Sequence, residues 1–331
     1  MGAFFLLGEA IHGLGMNERK TLAEKAYNEN PWFTEPNVLL ALRGIEVMLE
    51  KGNLIKWAKS YAPEPERPKT VGVAMAGNIP LVGFHDFLCV LISGHRLKAK
   101  LSQHDSVLMK SIYQLLLKIE PRFSDQVLFE EHVKGVDAMI ATGSDNTARY
   151  FEYYFRNIPH IIRKNRASCA VLVGEEPREE LEQLGSDVFS YFGLGCRNVA
   201  KLFVPEDFEF SQLFKSWTSH ASIIDHHKFA NNYDYQKSIL LVNREPHLDN
   251  DFVLLKESTQ LVSPIALLFY EKYKSLKEVR EKIEFQQDKL QVVVSAQGWF
   301  GGSVPFGRAQ LPAVDDYADH LDTMRFLMDI K

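Results

Sequence analysis

Apolar residues recur at helical spacing through the first part of the chain. Between Asn17 and Lys59 the pattern has the period of about 3.6 residues that is typical of helices packed along one face. Examples of these apolar positions are Val38, Leu42, Ile45 and Leu49. The opening run Met1–Gly8 is also apolar, but it lacks a basic start and is followed by Glu9. It therefore predicts the first turns of a packed helix and not an export signal.

After a connector with three prolines at residues 62–70, short apolar runs alternate with turns and helical stretches. The first strand is predicted over Val71–Ala76, closed by a Gly77–Pro80 turn and followed by a buried helix over Leu81–Ser93. The next predicted strands and helices are Leu97–Leu101, Ser106–Ile119, Val136–Ala141 and Asn146–Arg156. Three successive strand, turn and helix units predict a doubly wound parallel sheet.

The same alternation continues beyond residue 165, which predicts a second α/β lobe. The predicted strands there are Ala167–Val173, Ser238–Val242, Ile265–Tyr270 and Leu290–Ser295. The predicted helices are Glu175–Leu184 and Leu276–Ile283. No internal repeat or low-complexity tract interrupts the pattern.

Composition and charge narrow the classes of partner. The 331 residues are 46% hydrophobic and 24% charged, which is typical of a globular protein with a large core and excludes a disordered chain. A net charge of -5 gives no basic surface for nucleic acid or an anionic bilayer. No apolar stretch reaches the ~20 residues of a membrane span. The three cysteines are too few for a disulfide framework, which fits the reducing cytoplasm.

Cys196 is the most informative thiol in the sequence. Gly193 and Gly195 precede it and allow another molecule to approach the backbone, while the adjacent Arg197 is a cation that would favour a thiolate. The alternative is that Cys196 is a buried core residue. Cys89 and Cys169, inside apolar runs, fit that role better.

Two further sequence features bear on ligand binding: one favours a pyrophosphate site, and the other argues against a metal site. The Thr142-Gly143-Ser144 turn precedes a predicted helix, whose first N–H groups suit a pyrophosphate, although an ordinary helix cap has the same residues. The adjacent His226 and His227 project differently, and no Cys or His cluster stands at ligand spacing, so no metal site is expected.

In their order along the chain, these segments resemble the aldehyde dehydrogenase superfamily, and within it the acyl-CoA reductase branch that includes the fatty acyl-CoA reductases of bacterial bioluminescence. The likeness begins at Val71 and covers most of the chain after it. Residues 76–80, Ala-Gly-Asn-Ile-Pro, are similar to the family's Pro-Trp-Asn-Phe-Pro segment, with Gly77 in place of tryptophan. Residues 304–308, Val-Pro-Phe-Gly-Arg, are similar to the family's Pro-Phe-Gly segment, which closes over the active site.

Three more motifs carry this resemblance. Residues 100–103, Lys-Leu-Ser-Gln, are similar to a Lys-Pro-Ser-Glu strand end that holds the adenosine ribose. The Thr-Gly-Ser turn at residues 142–144 matches the family's pyrophosphate turn. Cys196 precedes residues 201–204, Lys-Leu-Phe-Val, by five positions, the interval between the family's catalytic cysteine and an Arg-x-x-Val strand. The resemblance implies catalytic roles for Cys196 and Asn78 and cofactor contacts for Lys100, Ser102, Gln103, Thr142, Gly143 and Ser144.

Two family glutamates are absent. The segment whose glutamate activates the deacylating water should fall near residues 161–169, where this chain has no carboxylate. Without that base, an acyl group on the cysteine would exchange with a thiol such as CoA rather than hydrolyse. The glutamate that contacts the nicotinamide ribose should fall near residues 260–264 and is also missing, although Glu257 lies close in sequence.

The resemblance implies an aldehyde-dehydrogenase-like, two-lobed α/β fold with a parallel-sheet cofactor lobe and an α/β catalytic lobe. Residues 1–165 would form the cofactor lobe with its helical N-terminus and residues 166–303 the catalytic lobe. Residues 304–331 would return to the active site or to an oligomer interface, because members of the superfamily are commonly dimers or larger.

The implied activity is reduction of an acyl-CoA thioester to an aldehyde with NAD(P)H, through a covalent cysteinyl thioester. The alternatives are a reductase of another small or phosphorylated acyl group, and a catalytically inactive nucleotide-binding or assembly protein on the same scaffold. NADPH is the expected cofactor, because Gln103 removes a carboxylate that would repel a 2'-phosphate and Lys98 and Lys100 lie close to it in sequence. NADH is the alternative.

Overall fold

The structure is a computed structural model that describes residues 1–61, 67–143 and 145–330. The chain divides into two compact units, one formed by Met1–Asn165 with Leu311–Lys331 and the other by Arg166–Gln310. The residues after 303 are therefore shared between the units. Of the predicted proline-rich connector, residues 62–66 lie outside the described residues.

The first unit opens with helices, as the spacing of its apolar residues predicts. They are α1 (Gly2–His12), α2 (Met16–Glu29), α3 (Glu35–Met48) and α4 (Lys51–Ala58). In α1, Phe4, Leu7 and Ile11 are fully buried, because residues three and four positions apart share one helix face. The apolar start of the chain is thus a packed helix.

A parallel sheet of five strands follows in the first unit. The strands are β1 (Thr70–Ala74), β2 (Arg96–Lys100), β3 (Val127–Phe129), β4 (Ala138–Thr142) and β5 (His160–Arg163), in the order β3-β2-β1-β4-β5. The intervening helices include α5 (Phe84–Ile92), α6 (Ser106–Ile119) and α7 (Asp145–Phe155). Between β1 and β4 the order of the strands changes direction. Open parallel sheets bind ligands at such a point, beyond the carboxyl ends of the strands. The predicted doubly wound sheet is confirmed.

The second unit contains a sheet of seven strands. They are β6 (Ala167–Val171), β7 (Val199–Pro205), β8 (Leu248–Asp249), β9 (Leu254–Glu257), β10 (Leu267–Tyr273), β11 (Leu290–Ser295) and β12 (Val304–Pro305). Their order is β12-β11-β6-β7-β10-β9-β8, and the pairing of β8 with β9 is antiparallel while the other pairings are parallel. Alternate residues along the strands belong to two separate core clusters, with Ala170 and Leu202 in one and Cys169 and Phe203 in the other.

Helices α8 (Arg178–Phe189), α9 (Phe210–Ser216), α10 (His227–Val242) and α11 (Leu276–Phe285) belong to this unit, and α12 (Thr323–Met328) lies in the part of the chain that joins the first unit. The predicted strand at Ser238–Val242 is wrong, because these residues are the last turns of α10. A short apolar run has no decisive period. The helix buries Phe229, Tyr233 and Leu240 and leaves Val242 82% exposed.

With 16 residues, α10 is the longest helix in the described part of the chain. No described helix combines the length and the apolar character that crossing a bilayer requires.

Candidate functional site

The three cysteines of the chain lie in very different surroundings. Cys89 and Cys169 are completely buried, whereas Cys196 is partly exposed. Burial raises the pKa of the Cys89 thiol well above its usual range. Burial also raises the pKa of Cys169 to about 12, although the nearby Lys201 opposes this shift. Two of the three thiols are therefore unreactive near neutral pH, and the structure leaves Cys196 as the candidate nucleophile in the second unit.

Cys196 follows a left-handed turn between α8 and β7. Tyr191, Phe192 and Gly193 have φ values of 51°, 57° and 78°, and a residue with a side chain costs roughly 1–2 kcal/mol in this conformation. Glycine at position 193 avoids that cost. The rings of Phe192 and His226 lie 4.4 Å apart between centroids, so aromatic packing helps to hold the turn. His226, one of the two adjacent histidines, thus packs against this turn.

Arg197, next to Cys196 in sequence, joins the thiol turn to the segment after β12. Its Nε donates a hydrogen bond of 2.5 Å to the carbonyl oxygen of Ala309. Asp187 in α8 binds the same segment, because its carboxylate accepts the N–H groups of Gly307 at 2.7 Å and Ala309 at 3.0 Å. The structure therefore brings the Pro-Phe-Gly segment to the residue beside Cys196.

Asp187 is a site residue that the sequence analysis missed. It is 1% exposed, and burial raises its pKa to about 7 against the opposing effects of the two N–H bonds and of Arg197. Its only signal in the sequence is an acidic residue at a helical position otherwise occupied by apolar neighbours. Many exposed helices carry such a residue, so the pattern could not identify it.

Stability should depend on pH through Asp187. Its pKa is higher in the folded chain, about 7, than the ~3.9 of an unfolded aspartate, so the folded state binds the proton more tightly. The free energy of unfolding should therefore fall as pH rises from about 4 to 7, by up to about 1.4 kcal/mol per pH unit. In Asp187→Asn this decline should flatten in denaturant titrations across that range. Asp207→Asn removes an exposed carboxylate and should keep the wild-type slope; equal slopes in both variants would contradict the assignment.

In the first unit, the predicted cofactor residues that the structure describes lie at one edge of the sheet, as does the Asn78 turn. The 77–80 turn follows β1, residues 101–103 follow β2, and Gly143 follows β4. These three strands are adjacent and parallel, so their carboxyl ends meet. This is the position at which open parallel sheets bind nucleotides.

Gly77 and Ser102 lie in direct contact at this edge. A Cβ atom at position 77 would lie 2.3 Å from the Oγ of Ser102 and 2.5 Å from its Cβ, so the turn closes on Ser102 only with glycine. The contact gives a steric reason for glycine at position 77. Asn78, the next residue, has an exposed side chain. The structure thus brings the Asn78 turn and Ser102 together.

Asp105 supports the same turn and was not identified from the sequence. It is 2% exposed, and its Oδ2 accepts the N–H of Leu81 at 2.7 Å, where the Leu81 backbone has a φ of 59°. Burial raises the pKa of this carboxyl group well above its usual range. Asp105 immediately precedes α6, and that helix-cap position gave no sign of its contact with the Asn78 turn.

The lysines near β2 differ in their availability. Lys100, at the end of β2, and Gln103 are both exposed. Lys98 instead donates to the carbonyl oxygen of Lys134 at 3.0 Å and pairs with Glu130 at 3.4 Å. Of the two lysines considered for a 2'-phosphate, Lys100 is the exposed one, whereas Lys98 is bound to the loop that follows β3.

The predicted pyrophosphate turn is partly described. Thr142 is the last residue of β4, and the N–H of Gly143 donates to the carbonyl oxygen of Arg163 at 3.2 Å. A Cβ at position 143 would lie 3.0 Å from the Cβ of Thr147, so glycine permits the close approach of α7. Ser144 lies outside the described residues.

Residues 161–169 contain one partner of a buried ion pair. Arg163, at the end of β5, is 4% exposed and forms an ion pair with the buried Asp86 of α5. Its Nη2 also donates to the Oγ1 of Thr323 at 2.9 Å. A buried cation paired in this way cannot accept a proton from water. Arg163 therefore has a structural role in this segment.

An apolar cavity adjoins the thiol turn within the second unit. Its volume is about 40 Å³, and its walls include Phe189, Phe192, Gly193, Val253 and Leu268. Hydrophobic walls of this kind suit an apolar group of a ligand. Gly193, one of the residues that line the cavity, lies three positions before Cys196 in the sequence.

Comparison with known proteins identifies the fold. No protein-family model and no curated protein sequence matches the chain. The structure is similar to an indole-3-acetaldehyde dehydrogenase of P. syringae in complex with NAD+ (TM-score 0.63, 12% identity, covering 94% of this chain and 74% of that chain). It is also similar to the NAD+ complex of an aldehyde dehydrogenase from Bacillus cereus (TM-score 0.61, 13% identity, covering 88% and 70%). The chain has the aldehyde dehydrogenase fold, and the prediction of fold class is confirmed.

Proposed function

We propose that the chain is an NAD(P)H-dependent acyl-CoA reductase that carries its acyl intermediate on Cys196. The observation that carries the proposal is the contrast among the thiols: Cys89 and Cys169 are completely buried, while Cys196 is partly exposed beside a braced turn. Solved structures with the same fold are aldehyde dehydrogenases, and some contain NAD+. These neighbours support a nicotinamide-dependent oxidoreductase that acts on an aldehyde or its acyl equivalent.

In the proposed reaction, the Cys196 thiolate attacks the carbonyl carbon of the acyl-CoA thioester. The new C–S bond gives a tetrahedral oxyanion, to which a backbone N–H near Cys196 would donate, with the amide of Asn78 as the second donor that the family resemblance implies. When the oxyanion collapses, the bond to the CoA sulfur breaks and CoA leaves as a thiolate, which leaves a cysteinyl thioester. A bound reduced nicotinamide supplies the hydride that this thioester needs. Cys196 regains its thiolate when the resulting thiohemiacetal releases the aldehyde.

Features of the first unit support the binding of a nicotinamide nucleotide. Gly77 and Gly143 allow close packing of the turns at the carboxyl edge of the sheet, because a Cβ at either position would meet Ser102 or Thr147. Ser102 and the exposed Lys100 and Gln103 would hold the adenosine ribose and its substituents. Because Gln103 carries no charge to repel a 2'-phosphate and Lys100 can attract one, we expect a preference for NADPH.

Two further observations support an acyl-transfer reaction. The small apolar cavity beside Phe192 and Gly193 offers apolar contacts to the hydrocarbon part of an acyl group. Arg163 occupies the segment of the family's general base and is paired with Asp86, so that segment has no group to activate water. The thioester would then persist until it meets a hydride donor or another thiol.

Steady-state kinetics test the proposal directly. Acyl-CoA substrates from acetyl to palmitoyl should cause consumption of NADPH, with a lower kcat/KM for NADH. Acyl phosphates in the same assay would reveal a reductase of phosphorylated acyl groups. No consumption with any donor, together with alkylation of Cys196 no faster than that of Cys89 and Cys169, would instead indicate an inactive protein on the same scaffold.

Replacing Asn78 by alanine should remove one donor to the oxyanion. We expect kcat to fall by about 10²- to 10³-fold, equivalent to ~3–4 kcal/mol of transition-state stabilisation, while KM for the acyl-CoA changes little. Asn53→Ala, which removes an amide from α4, is the matched control. Unchanged kcat in Asn78→Ala would contradict the role of this side chain.

A further inference from the structure

A buried asparagine amide spans the thiol turn of the second unit. Asn198 is 2% exposed, and its Oδ1 accepts the N–H of Gly195 at 2.9 Å. Its Nδ2 donates to the carbonyl oxygens of Ser190 at 2.6 Å and Asp187 at 3.2 Å. One side chain therefore fixes the end of α8, where the left-handed turn begins, and the residue directly before Cys196.

A buried hydroxyl holds the other side of the same turn. Ser168 is completely buried in β6; its Oγ donates to the carbonyl oxygen of Cys196 at 2.9 Å and accepts the N–H of Val292 at 3.1 Å. A serine hydroxyl has one proton to donate, and the N–H of Val292 can only donate. The direction of both bonds is therefore fixed, and the hydroxyl cannot rotate without losing one of them.

The strands are irregular at this position. The register between β6 and β7 shifts between Ser168 and Cys169, and the register between β11 and β6 shifts between Leu290 and Val293. Such irregularities redirect a side chain at a chosen point of a sheet and are frequent beside active sites. Here one of them lies at Ser168, whose hydroxyl binds the backbone of Cys196.

We propose that Ser168 and Asn198 are positioning residues for the Cys196 nucleophile. Ser168 holds the C=O of the peptide group that follows the Cys196 Cα, and Asn198 holds the N–H of Gly195, one peptide group before the one that leads into Cys196. The two side chains therefore restrain the backbone on both sides of Cys196, and with it the direction of the Cα–Cβ bond. The inference rests on one part of the proposed function, which is that the Cys196 sulfur attacks a carbonyl group. Attack on a carbonyl requires an aligned sulfur and aligned oxyanion donors, and a displacement of about 1 Å can cost about 10²-fold in rate.

The test compares two reactions of the same sulfur in Ser168→Ala and Asn198→Ala. The first is acylation by p-nitrophenyl acetate, a reaction that needs neither CoA nor a nicotinamide. Its rate is measured from the burst of released nitrophenolate. The second is alkylation by iodoacetamide, which needs the thiolate but no oxyanion donors. Both rates are expressed per folded protein, with Cys196→Ala as the blank and Ser216→Ala, which removes another buried hydroxyl, as the control.

We expect acylation to fall by about 10²-fold in both variants, with alkylation close to the wild-type rate. Ser168→Thr retains the hydroxyl and should recover most of the loss. Acylation at the wild-type rate, an equal decline in both reactions, or no Cys196-dependent burst in the wild type would each overturn the inference. A wild-type burst without acyl-CoA-dependent NAD(P)H oxidation would overturn the proposed function, and the comparison of variants would still decide the positioning roles. If Asn198→Ala does not fold, Ser168→Ala decides the outcome by itself.

Discussion

Replacement of Cys196 by alanine is expected to abolish acyl-CoA-dependent oxidation of NAD(P)H. Without the sulfur no covalent thioester forms on the protein. CoA is then not released, and no acyl-enzyme is available for reduction. Losses for removal of a catalytic nucleophile are commonly ~10³-fold or more. The measurement is the steady-state rate with saturating acyl-CoA and NADPH, combined with mass spectrometry of the protein after incubation with acyl-CoA alone. The wild type should gain one acyl mass, and Cys196→Ala should gain none.

The matched control is Cys169→Ala, which removes a thiol that is completely buried in β6. This variant should keep both the activity and the acyl adduct, because burial raises the pKa of Cys169 to about 12 and leaves little thiolate. Retention of turnover in Cys196→Ala, or an adduct that disappears in Cys169→Ala, would show that the nucleophile has been assigned to the wrong sulfur.

Replacement of Arg163 by methionine is expected to produce the largest loss of stability. The guanidinium is buried, pairs with Asp86 of α5 and donates to Thr323 in the tail that joins the first unit. Removing it leaves the Asp86 carboxylate buried without its cation. Breaking a buried pair from one side typically costs about 3–5 kcal/mol. Denaturant unfolding of Arg163→Met, followed by circular dichroism, should show a decrease of this size in the free energy of unfolding.

Two comparisons separate this effect from a general loss of charge. Lys164→Met removes the neighbouring cation, which forms an exposed pair with Glu152 at 3.1 Å, and should cost no more than about 1 kcal/mol. The double variant Asp86→Leu with Arg163→Met removes both charges and should recover part of the stability, because no unpaired charge remains. A double variant less stable than Arg163→Met alone would contradict this explanation.

The regular elements followed from periodicity where the apolar pattern was long or bounded by turns. Helix α6 and strand β11 have the predicted bounds, because an amphipathic helix and a buried strand between turn residues have distinct periods. The short strands β3 and β5 were not predicted, since three or four residues contain too little of a period. Their place in the sheet is set by pairing with β2 and β4.

The site was predictable where a residue type has its own chemical signature. The sequence showed a cysteine after two glycines, and it showed glycine-containing turns after predicted strands. The structure places Cys196 and the described residues of these turns beside the ends of strands. Asp187 and Asp105 were not visible. Each carboxylate binds backbone N–H groups of a segment far along the chain, and a contact of that kind leaves no local pattern.

The sequence by itself determined the helices and strands with a long or turn-bounded apolar pattern, which thiol has polar surroundings, and which turns could accept a phosphate, because these properties depend on neighbouring residues. Only the tertiary structure decided which distant groups meet. It paired Arg163 with Asp86, brought Ser168 to the carbonyl of Cys196, and committed Lys98 to Glu130. Such contacts arise when strands from separate parts of the chain align in one sheet, and their register is selected by burial of the whole face rather than by any single residue.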